Sequence, residues 1–168
     1  MISKLLPALA CALLLAACSG PDSSTSSGSG SLNSGSGAGA GLNGGVGRGA
    51  PGSEEDLAAN VGDRVFFAFE KAQLDDKSRA TLDRQAAWLA RYPANKVLIA
   101  GNCDERGTSE YNLAIGERRA HVARDYLQSK GIAPTRIRTI SYGKERPTAL
   151  GSDEAAWAQN RNAITSVE

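Results

Sequence analysis

The sequence predicts an α+β domain between Glu54 and Glu168, with two main helices packed on a four-stranded mixed sheet. Three observations predict it. Composition changes abruptly near Glu54, from a Gly/Ser/Ala-rich stretch to a mixture able to bury a core. Beyond that point, short runs rich in aromatic and β-branched residues alternate with longer stretches of helical periodicity. The resulting order, β-α-β-α-β-(α)-β, lets strands joined through a helix run parallel, hence a mixed sheet. Strand order within that sheet stays open at this level.

Taken in turn, Glu54-Glu55-Asp56-Leu57 opens a short helical turn, with acids suited to a helix N-terminus. Arg64-Val65-Phe66-Phe67-Ala68-Phe69 has strand character, and Glu70 to Asp76 is a polar connection. From Asp76 to Arg91, Leu82, Ala86 and Leu89 recur at i, i+4, i+7, and Tyr92-Pro93 ends the helix. Lys96 to Ala100 is the second strand, closing at Gly101. A helix of roughly 20 residues follows the loop Asp104–Thr108. It ends at Lys130-Gly131, a cation and an αL cap, and Pro134 keeps it from resuming. Arg136 to Tyr142 carries strand propensity with imperfect alternation of Ile137 and Ile140. Ser152-Asp153-Glu154 caps a short helix through Trp157, and Asn162 to Val167 forms the last strand.

Ahead of the domain, residues 1–17 have the make-up of a signal peptide: Lys4, then a short apolar run from Leu5 to Ala17. That run is too short to span a bilayer as a permanent helix. Residues 18–53 hold Cys18 and a Gly/Ser-rich linker, in which only Asp22 and Arg48 are charged. Such a composition cannot bury enough surface to offset the entropy of ordering. As a flexible coil, Ser19 to Ser53 would average roughly 30–35 Å end to end and reach about 120 Å. The formal net charge is +1, and the part from Glu54 onward is close to neutral, so there is no electrostatic footprint for nucleic acid. One histidine, His121, and a lone Cys103 in the domain do not make a metal site by spacing.

The segment Gly101 to Ala120, GNCDERGTSEYNLAIGERRA, carries the candidate site. At about 100° per residue, with Leu113 as zero, Ile115, Ala120, Val122, Ala123, Tyr126 and Leu127 share one half-turn. Arg119 falls near the middle of that arc with Asn112 almost above it, while Arg118, Glu117, His121 and Arg124 point elsewhere. An arginine on a core-facing arc calls for an anion, because it cannot deprotonate and an unpaired buried charge is costly. Asp104 in the preceding loop is the nearest candidate. The two would offer one negative and one positive group to a ligand with an amine and a carboxylate; a purely structural Asp–Arg pair fits the spacing equally well.

These residues resemble the OmpA-like domains, and most closely the family of peptidoglycan-associated lipoproteins of the Tol–Pal system. The likeness is carried by the Asp-Glu-Arg-Gly-Thr run at 104–108, Asn112 and Gly116-Glu117-Arg118-Arg119-Ala120. Phe66-Phe67-Ala68-Phe69 and Ser141-Tyr142-Gly143-Lys144-Glu145 extend it. It covers about Val65 to Ile164. It implies an OmpA-like fold and a non-enzymatic function, non-covalent binding of the diaminopimelate-containing peptide of peptidoglycan, without a cofactor. The implied binding residues are Asp104 and Arg119, with Asn112, Leu113, Phe69, Glu70, Gly107 and Thr108 around the ligand. Leu14-Leu15-Ala16-Ala17-Cys18 resembles a bacterial lipobox, which implies acylation at Cys18 and a periplasm-facing domain anchored in the outer membrane. The implied partners are peptidoglycan, the membrane through its lipid, and TolB with other Tol proteins.

Three positions depart from the family pattern. Asn102 stands where relatives usually carry His, Glu70 where they often carry Asp, and Asn162 where they have a second Arg after Asn160-Arg161. Two other functions remain in view: an OmpA-like wall-binding lipoprotein outside the Tol–Pal system, and a lipid-anchored cell-wall enzyme. The enzyme would need a nucleophile–base pair, a metal or two carboxylates at a defined separation.

Overall fold

The structure is a computed structural model and describes residues 49–168. The expected signal peptide, Cys18 and the linker through Arg48 lie outside the described residues. Residues 50–53 form a turn bonded to the domain: Ser53 N donates to Ala50 O, and Asn95 Nδ2 donates to Gly52 O at 2.8 Å.

The chain runs α1 (Glu54–Asp56) with a π-helical turn over Leu57–Val61, β1 (Arg64–Phe66), α2 (Asp76–Arg91) and β2 (Val97–Asn102). It continues through α3 (Ser109–Ser129), a 3-10 turn over Pro134–Arg136, β3 (Ile137–Gly143), α4 (Glu154–Asn160) and β4 (Asn162–Val167). Each α-helix begins on a side-chain cap. Ser53, Asp75, Thr108 and Asp153 accept from Asp56 N, Ser78 N, Tyr111 N and Ala156 N respectively. Such a cap stabilises its helix by about 1 kcal/mol. Gly131, at φ 92°, closes α3 as expected, while Lys130 reaches Asp83 of α2 at 2.7 Å instead of staying on its own helix end.

The sheet order is β1-β4-β2-β3, with β2 and β3 parallel and β4 antiparallel to both β1 and β2. The last strand therefore inserts between the first two, which local propensity cannot reveal. Val65, Phe67, Val97, Ile99, Ile137 and Ala163 bury against Leu82, Ala86, Leu89, Ala120, Ala123 and Leu127 of the two long helices. Within this core, Gln85 of α2 donates to Gly62 O at 2.7 Å and accepts from Thr165 Oγ1 at 3.0 Å, so its buried amide is satisfied on both ends. Ile140 is 38% exposed because residues 137 and 139 take the core face and 140 the other, which accounts for the imperfect alternation.

One expectation needs correction. The first strand stops at Phe66 rather than Phe69. Phe67 N still bonds Arg161 O at 2.8 Å, but Ala68 to Lys71 then turns away, with Lys71 N on Ala68 O and Glu70 at φ 56°. On α3, Leu113, the zero of the helix phase, lies outside the core face. It is 44% exposed, and the buried stripe is Asn112, Ile115, Gly116, Arg119, Ala120, Ala123 and Leu127. The stripe is centred on Arg119 because the close approach of α3 to β2 is made by glycines, not by leucine.

Candidate functional site

The loop from Cys103 to Thr108 leaves β2 at a bulge between Gly101 and Asn102 and enters α3 at the Thr108 cap. Asn112, one turn into that helix, donates through Nδ2 to Arg106 O at 2.7 Å and Thr108 O at 3.0 Å. Both amide hydrogens are thereby used in holding the loop. Gly107, at φ 87°, makes the reversal that Lys144 Nζ pins by donating to Gly107 O at 2.8 Å.

Arg119 is 1% exposed, the burial that its helix phase predicts. It is not paired with Asp104. Nε donates to Lys71 O at 3.0 Å, Nη2 to Ala68 O at 3.3 Å, and Nη1 to Asn102 O at 2.8 Å and to Cys103 Sγ at 3.3 Å. The turn after β1 thus exists to present two carbonyls to this guanidinium. These four bonds leave one of its five N–H groups, on Nη2, uncommitted. Burial draws Arg119 below the ordinary guanidinium range, with Cys103 and Asp104 pulling the other way. It stays charged in any case. Cys103, 3% exposed, donates to Asn112 O at 3.3 Å, and burial pushes its thiol up against the pull of Arg119.

Asp104 is claimed by two other arginines. Its side chain is 6% exposed and takes Arg106 Nη2 on Oδ2 at 2.7 Å and Arg161 Nη1 on the same oxygen at 3.3 Å. Oδ1 takes Arg106 N and Nε, each at 3.2 Å. Burial raises the Asp104 carboxyl, but the hydrogen bonds from Arg106 and Arg161 outweigh it and hold the group below the usual carboxylate value. Arg161, itself buried, also bonds Phe67 O and Glu154 Oε1, and so ties β1, α4 and the loop to one carboxylate. The Arg106 guanidinium lies 4.0 Å from the Phe69 ring centroid and 4.1 Å from that of Trp157, between two aromatic faces.

Between these groups is a cavity of about 120 Å3. Of the residues singled out in the sequence, Phe69, Glu70, Asp104, Gly107, Asn112 and Arg119 line it. Leu113 and Thr108 do not. Leu113 lines a separate cleft with Ile140 and Ser141, and Thr108 is committed to its cap. Arg106, Cys103, Tyr111 and Ile115 complete the lining. Arg106 carried a usable signal, since a residue two positions on in a turn can reach back to its acid. Arg161, 57 positions from Asp104 in sequence, stood in the family pattern with Asn160 but carried no local signal pointing to that acid. The departures Asn102 and Asn162 meet: Asn102 Nδ2 donates to Asn162 Oδ1 at 2.8 Å, both side chains being buried. Asn102 Oδ1 has no hydrogen-bond partner among the described residues.

Comparison with known proteins agrees with this fold. Residues 66–161 match the OmpA family. The peptidoglycan-associated lipoprotein of Rhizobium meliloti is 54% identical over 121 residues, 72% of this chain and 69% of the relative. That of Brucella melitensis is 50% identical, covering 72% of each chain. The crystal structure of the peptidoglycan-associated lipoprotein from Burkholderia pseudomallei superposes with a TM-score of 0.63 at 41% identity, covering 67% of this chain and all of that one. The chain belongs to the OmpA family, grouping there with relatives named peptidoglycan-associated lipoproteins.

Proposed function

We propose that this chain is an outer-membrane lipoprotein, acylated at Cys18, whose domain binds the diaminopimelate-containing peptide of peptidoglycan without a covalent bond. In this role it tethers membrane to wall as part of the Tol–Pal system, with TolB and other Tol proteins as partners. The names of the relatives support the ligand. The observation that carries the reading is the single small cavity onto which a buried carboxylate, Asp104, and a buried guanidinium, Arg119, both open. The free end of diaminopimelate is an ammonium and a carboxylate on one carbon, and two opposite charges facing one space suit it.

With most of its donors held by backbone carbonyls, Arg119 offers the ligand carboxylate one N–H, a single-pronged contact instead of a fork. Phe69 packs on the aliphatic part, and Glu70 stands at the rim. A hydrolase is disfavoured by the same geometry. A general-acid carboxyl is held above its ordinary value, whereas Asp104 is held below it, and the neighbouring Glu105 is occupied by Trp157 Nε1 at 3.1 Å.

The test compares neighbours of equal charge. Arg118 is exposed one position before buried Arg119. Arg119→Ala should cost about 2–5 kcal/mol of binding to a diaminopimelate muropeptide, while Arg118→Ala changes it little. Circular dichroism checks that both variants are folded, and Asp104→Asn, which keeps the shape, should also abolish most binding. Equal losses at 118 and 119 would mean general electrostatics and would remove the site.

A further inference from the structure

Asp104 has no room for a ligand ammonium in the arrangement described above. A carboxylate offers about four acceptor positions, and Asp104 fills them with Arg106 N, Nε and Nη2 and with Arg161 Nη1. The two arginines are not equally fixed. The Arg161 side chain is 8% exposed and is also held by Phe67 O and Glu154. The Arg106 side chain is 32% exposed, and beyond Asp104 its guanidinium lies over the faces of Phe69 and Trp157. Of the two, Arg106 is the one that can leave without stranding a buried charge.

We infer that Arg106 is a specificity residue acting as an internal stand-in for the ligand: its guanidinium occupies the ammonium subsite, and only a ligand cation displaces it. The inference rests on the proposed reading of the site and concerns how that site selects. When the Arg106 side chain swings out, it frees one acceptor position on each Asp104 oxygen, leaving Arg106 N on Oδ1 and Arg161 on Oδ2, and it opens the gap between the two rings. What remains is a carboxylate flanked by aromatic faces, the environment that attracts a compact cation by charge and by ring quadrupole. A primary ammonium, with three donors on one nitrogen, fits there. A ligand whose amine is acylated brings no charge to exchange, so Arg106 stays in place and the cavity remains small. Selection against such ligands comes from the resident cation, not from a clash. Trp157 is a sensor of the exchange, since its ring loses a guanidinium at 4.1 Å while its Nε1 stays on Glu105.

The experiment uses the full chain and two probes. One is the N-acetylated tripeptide L-alanyl-γ-D-glutamyl-meso-diaminopimelate; the other is the same peptide with the free diaminopimelate amine also acetylated. Removing a partly exposed competing ion pair should tighten binding of the amine peptide to Arg106→Ala roughly fivefold over the native chain, with no gain for the doubly acetylated peptide. Weaker binding of the amine peptide by Arg106→Ala would make Arg106 a ligand contact and overturn the inference while leaving the proposed function standing. An equal gain for both peptides would make it a mere obstruction and overturn it too. No binding of either probe by the native chain would remove the proposed function and this inference with it. A second measurement needs no variant. The Arg106 Nε–H, bonded to Asp104 at 3.2 Å, should exchange with water as fast as an exposed arginine once the amine peptide saturates the native chain; unchanged protection overturns the exchange.

Discussion

At the scale of single residues, the site is a problem of charge in a small space. Asp104, Arg106, Arg119 and Arg161 sit around one loop: Arg106 and Arg161 share the Asp104 carboxylate, while Arg119 is held mainly by backbone carbonyls. The consequence for Asp104 is measurable. Its carboxyl is drawn up by burial and more strongly down by Arg106 and Arg161, so its folded pKa lies below its unfolded one. A group depressed in this way contributes stability that is fully present above the unfolded value, about 3.9, and is lost as pH falls through the folded value. Urea unfolding from pH 7 down to pH 2 should therefore show native chain and Asp104→Asn converging as the acid range is entered. A stability gap that keeps its neutral-pH size at pH 2 would contradict the assignment. The sequence made Asp104 and Arg119 legible because helix phase and loop position are local properties. It did not make their partners legible, because Arg161 comes from the residue just before β4, and the carbonyls come from Ala68, in a stretch read as strand, and Lys71, in a connection of open conformation.

Among the elements, the decisive contact is α3 against β2 and β3, where the helix comes so close that side chains are excluded. A Cβ built on Gly101 would stand 1.8 Å from Gly116 O, and one on Gly116 would stand 2.3 Å from Ser141 Oγ and 2.8 Å from Gly101 O. Backbone cannot yield as a flexible side chain can. Gly116→Ala should destabilise the fold by about 1–3 kcal/mol or more, and because Arg119 is one turn further along, ligand affinity should fall with it. Thermal unfolding and peptide titration on the same variant check both; an unchanged melting temperature would mean that the helix can lift without cost. Element types and most boundaries were readable from periodicity and caps, with α2 and β4 matching to the residue. The insertion of β4 between β1 and β2 was not, since the pairing that decides it spans almost the whole domain.

For the whole molecule, the proposed reading makes the domain a clamp on the end of one side chain, and a clamp does mechanical work only if its other end is held. The lipobox-like Leu-Ala-Ala-Cys ending at Cys18 supplies that end in the proposed reading. Cys18→Ser should yield a chain with no lipid and no outer-membrane fraction, yet with unchanged peptide affinity, because the proposed site is lined by residues between Phe69 and Arg119. Intact mass and membrane fractionation read the first, titration the second. A mature N-terminus other than acylated Cys18 in the native chain would remove the anchor.

The amide pair of Asn102 and Asn162 has a consequence for how this domain can change over generations. The two lie on neighbouring strands, and Asn102 O is also an acceptor for Arg119. Replacing either amide alone breaks the buried hydrogen bond between them and leaves the other, though still bonded to Ala100 O or to Thr148 and Gln159, one polar partner short, at a cost of about 1–3 kcal/mol. Neither position is then free to drift by itself. A lineage leaves this pairing only by altering both together or by passing through a weakened intermediate, so the two sites are inherited as one character.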